Sequence, residues 1–370
     1  MKPAWKPVWR PERVGPVALL SLVASACGGG SGETARQAPD VSVTQPAGES
    51  GRPAAPLAYV SNEGSGDISV IDTRADRVVA TIPVGKRPRG IRVSPDGRTI
   101  FVAVTGSPQA PPGTDLSKLP PPDRSADGIG VIDVATHQVR GRLPSGPDPE
   151  QFATSPDGSK LYVSNEDAAT ASVVDVTTGR VLQRIPVGVE PEGVNISPDG
   201  KLVYVSAETD HNVTVINTET NQAIATFIVG ARPRGIAFSP DGARAYVTAE
   251  LGGTVSVVRT ADSRVMGRII IAGPEAKPMG IVVAPDGKRL YVSTGRGGSV
   301  VVIDPATDRV IGTIPVGGRP WGLAITPDGR KLYTANGPPV NYVAVIDLAK
   351  QRVVATVKAG SSPWGVAIAP

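Results

Sequence analysis

Cysteine, histidine and aromatic residues are scarce in this sequence of 370 residues. The single cysteine excludes a disulfide framework, and 2 histidines with that cysteine offer no spacing for a zinc site. No apolar run reaches the roughly 20 residues that a mature membrane-spanning helix needs. The sequence therefore predicts neither a metal site, nor a cofactor, nor a spanning helix in the mature protein.

Apolar residues make up 40% of the chain, enough for a large buried core. The formal net charge is +4, but residues 1–26 carry +3 of it, from four basic residues against Glu12. The remaining chain is thus close to neutral, at +1. A nucleic-acid-binding protein keeps its basic excess on the folded part, so we expect no nucleic-acid partner.

The N-terminus has the order of charges and apolar residues found in a secretory signal. Four basic residues precede the apolar stretch 17–26, which ends directly before Cys27. The segment 24–27, Ala-Ser-Ala-Cys, resembles a bacterial lipobox, although Ala24 stands where leucine is commonest. We expect Cys27 to be lipidated and to anchor the protein on the periplasmic side of a membrane, since a lone exported thiol is unusual. The alternative is an ordinary signal peptide and a secreted protein.

The chain is predicted to have three parts. Residues 1–26 are the signal, and 27–56 contain the lipidated cysteine and a tether rich in Gly, Pro, Ser and Ala. The folded domain comprises residues 57–370, with a proline-rich insertion at 106–127 that we expect to cover one face as a stiff flap.

A repeated unit occupies the folded domain. Pro-Asp-Gly recurs with its proline at positions 95, 156, 198, 240, 285 and 327, mostly at a spacing of 42 to 45 residues. One unit contains four short apolar segments rich in Val, Ile and Tyr, at 289–294, 298–304, 309–315 and 321–326. These predict four antiparallel strands a unit, because they are bounded by turn residues and lack a helical period. Seven such units predict an all-β seven-bladed β-propeller.

The two ends of the domain are predicted to complete one blade together. Residues 57–83 contain three strands without an inner strand, and 364–369 form an inner strand without the following hairpin. Pairing of these segments closes the ring and leaves no open sheet edge at the seam.

Several motifs resemble the YVTN-repeat β-propeller family over nearly all of 57–370. They are Leu-Tyr-Val-Ser-Asn (161–165), Val-Val-Val-Ile-Asp (300–304), Thr-Ile-Pro-Val-Gly (313–317), Pro-Trp-Gly (320–322) and Thr-Pro-Asp-Gly (326–329). The insertion 106–127, Pro-Glu-Gln-Phe (149–152) and Tyr-Thr-Ala-Asn-Gly (333–337) are most similar to exported seven-repeat propellers associated with PQQ-dependent alcohol catabolism. That resemblance implies a periplasmic accessory protein rather than the quinoprotein dehydrogenase itself.

A Pro-x-Gly motif begins six of the seven predicted inner strands, and Pro149-Glu150-Gln151 replaces it in the remaining one. The middle residue of each triplet should line the mouth of the central channel. These seven mouth residues are Arg89, Glu150, Glu192, Arg234, Met279, Trp321 and Trp364. One interpretation is a pocket for an organic ligand, with the tryptophans as a stacking face and Arg89 or Arg234 binding a carboxylate. The other is structural, with Arg89–Glu150 and Glu192–Arg234 as ion pairs between adjacent blades and the tryptophans as a plug.

Other polar residues are expected in solvated loops. The loops after the second strands carry Asn62, Glu63, Asn165, Glu166, Asp167, Glu208, Asp210, Glu250 and Asn336. Their oxygens could be imagined as Ca²⁺ ligands, but they are spread over different blades and form no compact acidic loop, so a solvated face is favoured. His137 and His211 are expected to be solvated loop residues on opposite faces.

The sequence favours a non-enzymatic protein that binds a periplasmic partner or a small organic ligand at the channel mouth. A lactonase-type hydrolase is the runner-up, with Glu150, Glu192, or Glu208 with His211, as candidate acid–base groups; it depends on analogy of fold. A scaffold in the cell envelope is the third alternative.

Overall fold

The computed structural model describes residues 55–109, 114–273 and 275–370. The predicted signal, Cys27 and the tether up to residue 54 lie outside the described residues. Within the described ranges, no helix has both the length and the apolar character needed to cross a membrane.

The described residues contain 28 strands, numbered in chain order, in seven four-stranded antiparallel sheets. Blade 1 contains β1 (Leu57–Asn62), β2 (Asp67–Asp72), β3 (Arg77–Pro83) and β28 (Pro363–Ala369). Blade 2 contains β4 (Pro88–Val93), β5 (Thr99–Val104), β6 (Gly128–Asp133) and β7 (Val139–Leu143). Blade 3 contains β8 (Pro149–Thr154), β9 (Lys160–Asn165), β10 (Thr170–Asp175) and β11 (Val181–Pro186). Blade 4 contains β12 (Pro191–Ile196), β13 (Leu202–Ala207), β14 (Asn212–Asn217) and β15 (Gln222–Ile228).

The remaining three blades repeat this plan. Blade 5 contains β16 (Pro233–Phe238), β17 (Arg244–Ala249), β18 (Thr254–Arg259) and β19 (Arg264–Ile270). Blade 6 contains β20 (Ile281–Val283), β21 (Leu290–Ser293), β22 (Ser299–Asp304) and β23 (Arg309–Pro315). Blade 7 contains β24 (Arg319–Ile325), β25 (Lys331–Gly337), β26 (Tyr342–Asp347) and β27 (Arg352–Lys358). In the described part of the chain, helical structure is limited to short 3₁₀ turns at Leu116–Lys118, Arg124–Ala126, Glu166–Ala168, Thr260–Asp262 and Gly295–Gly297.

Ring closure follows the predicted pairing. The last strand, β28, pairs antiparallel with β1, with Tyr59 opposite Ala367 and Leu57 opposite Ala369. The inner strands β28, β4, β8, β12, β16, β20 and β24 contact one another in a closed ring. The predicted seven-bladed architecture is confirmed.

The two middle strands of a blade are buried over most of their length, which explains why their sequences are mostly apolar. Ile68–Ile71 of β2 are all buried because neighbouring blades cover both faces of the strand. The outermost strand β3 alternates instead, with Ile82 buried and Val79 exposed. The apolar clusters lie between adjacent blades; one contains Tyr59 of blade 1 and Val102 of blade 2.

The Pro-Asp-Gly turns are stabilised by their own side chains. In the turn at 198–200, Asp199 Oδ1 accepts hydrogen bonds from Ser197 Oγ at 2.6 Å and from the Lys201 backbone N–H at 3.1 Å. Gly200 has φ of 73°, a left-handed conformation that glycine adopts without strain. These turns lie on the face opposite to the Pro-x-Gly motifs, which leaves the motifs to form the mouth.

Candidate functional site

Six of the seven mouth residues lie at the beginning of the innermost strand of a blade, and Met279 lies two residues before β20. Six of them are nearly buried, with 4 to 8% of their surface exposed, and Trp321 is half-buried. The glycine that follows most of them is required by close backbone approach at the axis. At Gly193, for instance, a Cβ atom would overlap the carbonyl oxygen of Arg234 in the next blade.

A hydroxyl group in the second strand fixes most of the mouth residues. Ser61 Oγ donates to the carbonyl oxygen of Arg89 in the next blade at 2.6 Å and accepts the Gly365 N–H at 2.9 Å. The hydroxyls of Ser164, Ser206, Thr248 and Ser293 donate in the same way to Glu192, Arg234, Met279 and Trp321. The corresponding positions in β5 and β25 are Ala103 and Ala335, which have no hydroxyl. Each hydroxyl thus connects adjacent blades and positions a mouth residue.

Arg89 is the centre of a buried ion-pair cluster. Its guanidinium pairs with Asp148 and Glu150 of blade 3, and with Glu166 Oε2 at 3.4 Å. Burial by itself would lower the pKa of Arg89, but the carboxylates of Glu150, Asp148 and Glu166 raise it above its ordinary value. Arg89 therefore stays charged, and the Arg89–Glu150 pair of the structural interpretation is present.

Arg234 is the centre of a second ion-pair cluster. It pairs with Glu192 and Glu208 of blade 4, and with Glu250 Oε2 at 2.9 Å. Arg232 joins the cluster through its Nε, which donates to Glu208 Oε2 at 2.5 Å. The Glu192–Arg234 pair is therefore also present, within a larger group than the mouth motif predicts.

Carboxyl groups outnumber guanidinium groups in both clusters. Burial raises the pKa of Glu208 to about 8 against the opposing effect of Arg232, and the charge of Glu250 adds to the rise. Burial likewise raises the pKa of Glu150 well above its ordinary value although Arg89 opposes it. Two guanidinium groups cannot neutralise Glu192, Glu208 and Glu250 together, so a proton on one carboxyl is favoured.

Three of these carboxylates are close enough to be considered as metal ligands. Oxygens of Asp148, Glu150 and Glu166 lie within 4.8 Å of one another. The guanidinium of Arg89 pairs with all three of them. Arg89 thus supplies the positive charge that a cation would bring, and these carboxylates are better explained as its partners.

The other side of the mouth is aromatic. The rings of Trp321 and Trp364 lie 6.1 Å apart at an angle of 30°. The guanidinium carbons of Arg319 and Arg234 lie over the Trp321 ring, at 5.5 and 5.8 Å from its centroid. The guanidinium groups of two arginines thus lie against Trp321, whose side chain is half-buried.

The channel below the mouth is narrow. A cavity of about 70 Å³ is lined by Gly193, Gly235, Gly280, Gly322 and Gly365 together with the residues that follow them. This volume has room for a few water molecules, whereas pockets for organic ligands measure about 300 Å³ or more. A ligand of this site would therefore lie at the mouth and not inside the channel.

The sequence predicts that the polar residues after the second strands lie in solvent, and this prediction is wrong for several of them. Asn62, Asn165 and Asn336 are fully buried, and Glu208 is 5% exposed. Asn62 Nδ2 donates to Asp67 Oδ1 at 2.7 Å and to Ser69 Oγ at 2.9 Å, which stabilises the β1–β2 hairpin. Asn165 and Glu208 likewise have partners on a neighbouring strand or blade, whereas Asn336 Nδ2 donates to Thr334 of its own strand at 3.0 Å.

Sequence reasoning also missed the residue before the proline of the mouth motif. Arg87, Asp148, Arg232 and Arg319 occupy this position. Asp148 pairs with Arg89, Arg232 joins the cluster of Arg234, and Arg319 lies against Trp321. Arg87 pairs with Glu63 of blade 1. The signal was present in the sequence, because a charged residue precedes the proline in six of the seven repeats.

The two histidines occupy different environments. His137 lies on the Pro-Asp-Gly face, half-buried against Tyr59, with ring centroids 6.0 Å apart, and burial lowers its pKa. His211 is exposed, and its Nδ1 lies 2.8 Å from the Glu208 carbonyl oxygen. The His211 ring therefore bonds to the backbone and not to the Glu208 carboxyl that the hydrolase alternative pairs it with.

The described parts of the insertion 106–127 contact loops of both neighbouring blades. Arg124 pairs with Asp167 of blade 3 at 2.5 Å. Arg87 donates to the carbonyl oxygen of Ser107 at 2.7 Å and pairs with Glu63 of blade 1 at 2.7 Å. The insertion thus lies on the mouth side, between blades 1 and 3.

Comparisons with known proteins agree with this architecture. The family described as "Lactonase, 7-bladed beta-propeller" matches residues 153–229 and 217–352. No curated protein sequence matches the chain.

Two solved structures are similar to this chain. Hydrazine synthase of Kuenenia stuttgartiensis has 25% identity and a TM-score of 0.65, over 76% of this chain and 90% of that one. A functionally unknown protein of Desulfotomaculum acetoxidans has 17% identity and a TM-score of 0.67, over 84% of this chain and 98% of that one. The second similarity shows the fold alone. Because the family match spans more than half of the sequence, this chain belongs to the lactonase family of seven-bladed β-propellers.

Proposed function

We propose that this protein is a non-enzymatic binding propeller whose ligand is a small organic molecule held at the aromatic side of the mouth. The proposal depends on a difference between the two sides of the mouth: the charged residues are buried in ion pairs, whereas an aromatic side chain is accessible. Arg89, Glu150, Glu192 and Arg234 are buried in ion pairs with one another and with their neighbours. Trp321 is the mouth residue with the largest exposure, and tryptophan combines a large apolar surface with one hydrogen-bond donor.

A screen of small organic metabolites by thermal shift tests this proposal. A ligand at 100 times its Kd should add about 2.7 kcal/mol to the free energy of unfolding. We expect stabilisation of the wild type and little of Trp321→Ala. Met266→Ala is the control, since Met266 is 55% exposed on the outermost strand of blade 5. The absence of a shift with every compound, or an equal shift in Trp321→Ala, would argue against a small-molecule site here.

Lactone hydrolysis is the second candidate, favoured by the family match and by Glu208. A carboxyl with a pKa of about 8 beside two guanidinium groups suits general acid–base work near neutral pH. In this reaction the ionised Glu208 would take a proton from water as the water oxygen bonds to the acyl carbon. The ring C–O bond would then break, and the leaving alkoxide would receive the proton while Arg232 or Arg234 stabilises the oxyanion.

Activity on a panel of lactones tests the hydrolase. Glu208→Gln should lower kcat by a factor of about 100 or more, because Gln cannot accept the proton. The exposed Glu219→Gln on the opposite face is the control. No turnover of any lactone, or equal turnover by Glu208→Gln, would remove Glu208 as the base.

We further propose, from the sequence motifs, that Cys27 is lipidated and that the protein lies on the periplasmic side of a bacterial membrane. Labelled palmitate should enter the wild type and not Cys27→Ser; equal labelling would contradict the anchor. The similarity to YVTN-repeat propellers supports, as part of the same proposal, an accessory role in PQQ-dependent oxidation. A scaffold function in the envelope is the alternative if the mouth binds a protein.

A further inference from the structure

Three cationic side chains on the aromatic side of the mouth have no carboxylate partner within the described ranges. Lys277 precedes the mouth motif of blade 6, and its backbone N–H donates to the Thr294 carbonyl oxygen at 2.9 Å. Arg296 lies in the adjoining 3₁₀ turn, and Arg319 begins β24 in blade 7. The positive charge of Arg296 lies close enough to Arg319 to help burial lower the pKa of Arg319.

On the other side of the mouth, the arginine side chains are paired with carboxylates. Arg87, Arg89, Arg232 and Arg234 each have a carboxylate within 4 Å. Glu250 is the carboxylate whose charge acts on Arg319, but it is engaged by Arg234 at 2.9 Å. Among the described residues, the positive charges on the aromatic side therefore have no carboxylate partner. The excess of carboxyl groups is in the neighbouring cluster around Arg234.

Arg319 is held in an orientation suited to binding an anion. Its guanidinium carbon lies 5.5 Å from the Trp321 ring centroid, and Trp364 packs beside Trp321. Arg319 Nε is buried and has no hydrogen-bond partner among the described residues. A guanidinium on an aromatic face keeps its N–H edge free, and that edge matches the two oxygens of a carboxylate.

We infer that Arg319, supported by Arg296 and Lys277, binds the carboxylate of a small organic acid whose apolar part contacts the Trp321–Trp364 pair. This inference rests on the proposed function and names its ligand class. It also replaces the prediction that Arg89 or Arg234 binds the carboxylate, because both of those side chains are already paired with protein carboxylates.

Calorimetric titration of the full chain with benzoate, phenylacetate and cinnamate, and with their neutral amides, tests the inference. At least one acid should bind about tenfold more tightly than its amide, the loss expected when a charge-assisted hydrogen bond is removed. Arg319→Gln should weaken the acid about tenfold and leave the amide unchanged, and Arg319→Lys should retain part of the preference. The exposed Arg352→Gln, on the opposite face of the same blade, should bind like the wild type.

The outcomes separate this inference from the proposed function. If acids and amides bind equally, or if Arg319→Gln keeps the preference for acids, the carboxylate site is wrong while a small-molecule site at the tryptophans stands. If neither acids nor amides bind, the inference is overturned, and the metabolite screen decides the broader proposal. Circular dichroism of Arg319→Gln should match the wild type, so that lost binding is not lost folding.

Discussion

The backbone N–H of Gly365 donates a hydrogen bond of 2.9 Å to Ser61 Oγ, which joins residues 304 positions apart in the sequence. The same hydroxyl donates to the Arg89 carbonyl oxygen of blade 2. One side chain therefore connects the first strand, the last strand and the neighbouring blade. The seam of the ring is built with the same bonds as the other blade boundaries, such as Ser206 between blades 4 and 5.

Ser61→Ala should lower the free energy of unfolding by about 1–3 kcal/mol, because two buried backbone groups lose a partner. Ser206→Ala is the matched control inside the ring, and we expect a similar loss. Urea denaturation measures both. If Ser61→Ala cost much less than Ser206→Ala, the seam would be a weaker boundary than its hydrogen bonds indicate.

Arg89→Met should destabilise the fold strongly, by about 3–5 kcal/mol, because it leaves the carboxyl groups of Asp148, Glu150 and Glu166 together without a cation. Lys86→Met is the control. Lys86 pairs with Asp123 at 2.7 Å, but the two side chains are 62% and 42% exposed, so its loss should change stability little. Equal melting temperatures for the two variants would mean that the buried cluster contributes no more than a surface pair.

Stability should depend on pH through Glu208. Its pKa is about 8 in the folded protein against 4.5 for the ordinary group, so the folded state binds the proton more tightly. The stabilisation is complete below pH 4.5 and is lost as pH rises towards 8, with a slope of at most about 1.4 kcal/mol per pH unit.

The measurement is the difference in free energy of unfolding between the wild type and Glu208→Gln from about pH 5 to about pH 8.5. This range covers most of the interval between the ordinary pKa of 4.5 and the pKa of about 8 in the folded protein. This difference should fall with rising pH, because the amide of the variant does not titrate. The exposed Glu219→Gln on the opposite face is the control for the loss of a carboxyl group. Using differences removes the effect of His137, whose lowered pKa acts in the opposite direction below pH 6.5. Parallel profiles for the wild type and Glu208→Gln would contradict the raised pKa.

Gly193→Ala should destabilise the inner ring by about 1–3 kcal/mol or more, because the added methyl group would overlap the Arg234 carbonyl oxygen. Gly267→Ala in the outer strand β19 is the control, since nothing among the described residues lies within 4 Å of its Cβ position. Thermal melting of both variants checks the prediction. A tolerated Gly193→Ala would show that the inner strands can move apart.

The architecture could be predicted from the sequence because its determinants are local and repeated. The turn at 198–200 contains its own stabilising side chains, and its recurrence gives the number and length of the strands. The missing inner strand before Leu57 and the unpaired strand at the C-terminus together predict the closure that Tyr59 and Ala367 make.

The hydroxyl groups that connect adjacent blades can be seen in the sequence, but the sequence does not show what they bind. Ser or Thr follows Tyr-Val in five repeats, as a small polar residue within an apolar strand. The role of this position depends on the neighbouring blade, because Ser61, Ser164 and Ser206 each donate to a carbonyl oxygen about 28 residues further along the chain. Spacing within one repeat does not reveal that contact.

The seven-bladed ring, its closure and the residues at its mouth follow from the repeat period and the turn chemistry, which are written along the chain. Which charges are paired and which are free depends instead on how the blades pack. Arg89 binds carboxylates 59 and more residues away, whereas Arg319 binds none within the described chain. Charge pairing depends on distance across blades: Arg232 and Arg319 occupy the same position of the repeat, yet only Arg232 has a carboxylate partner among the described residues.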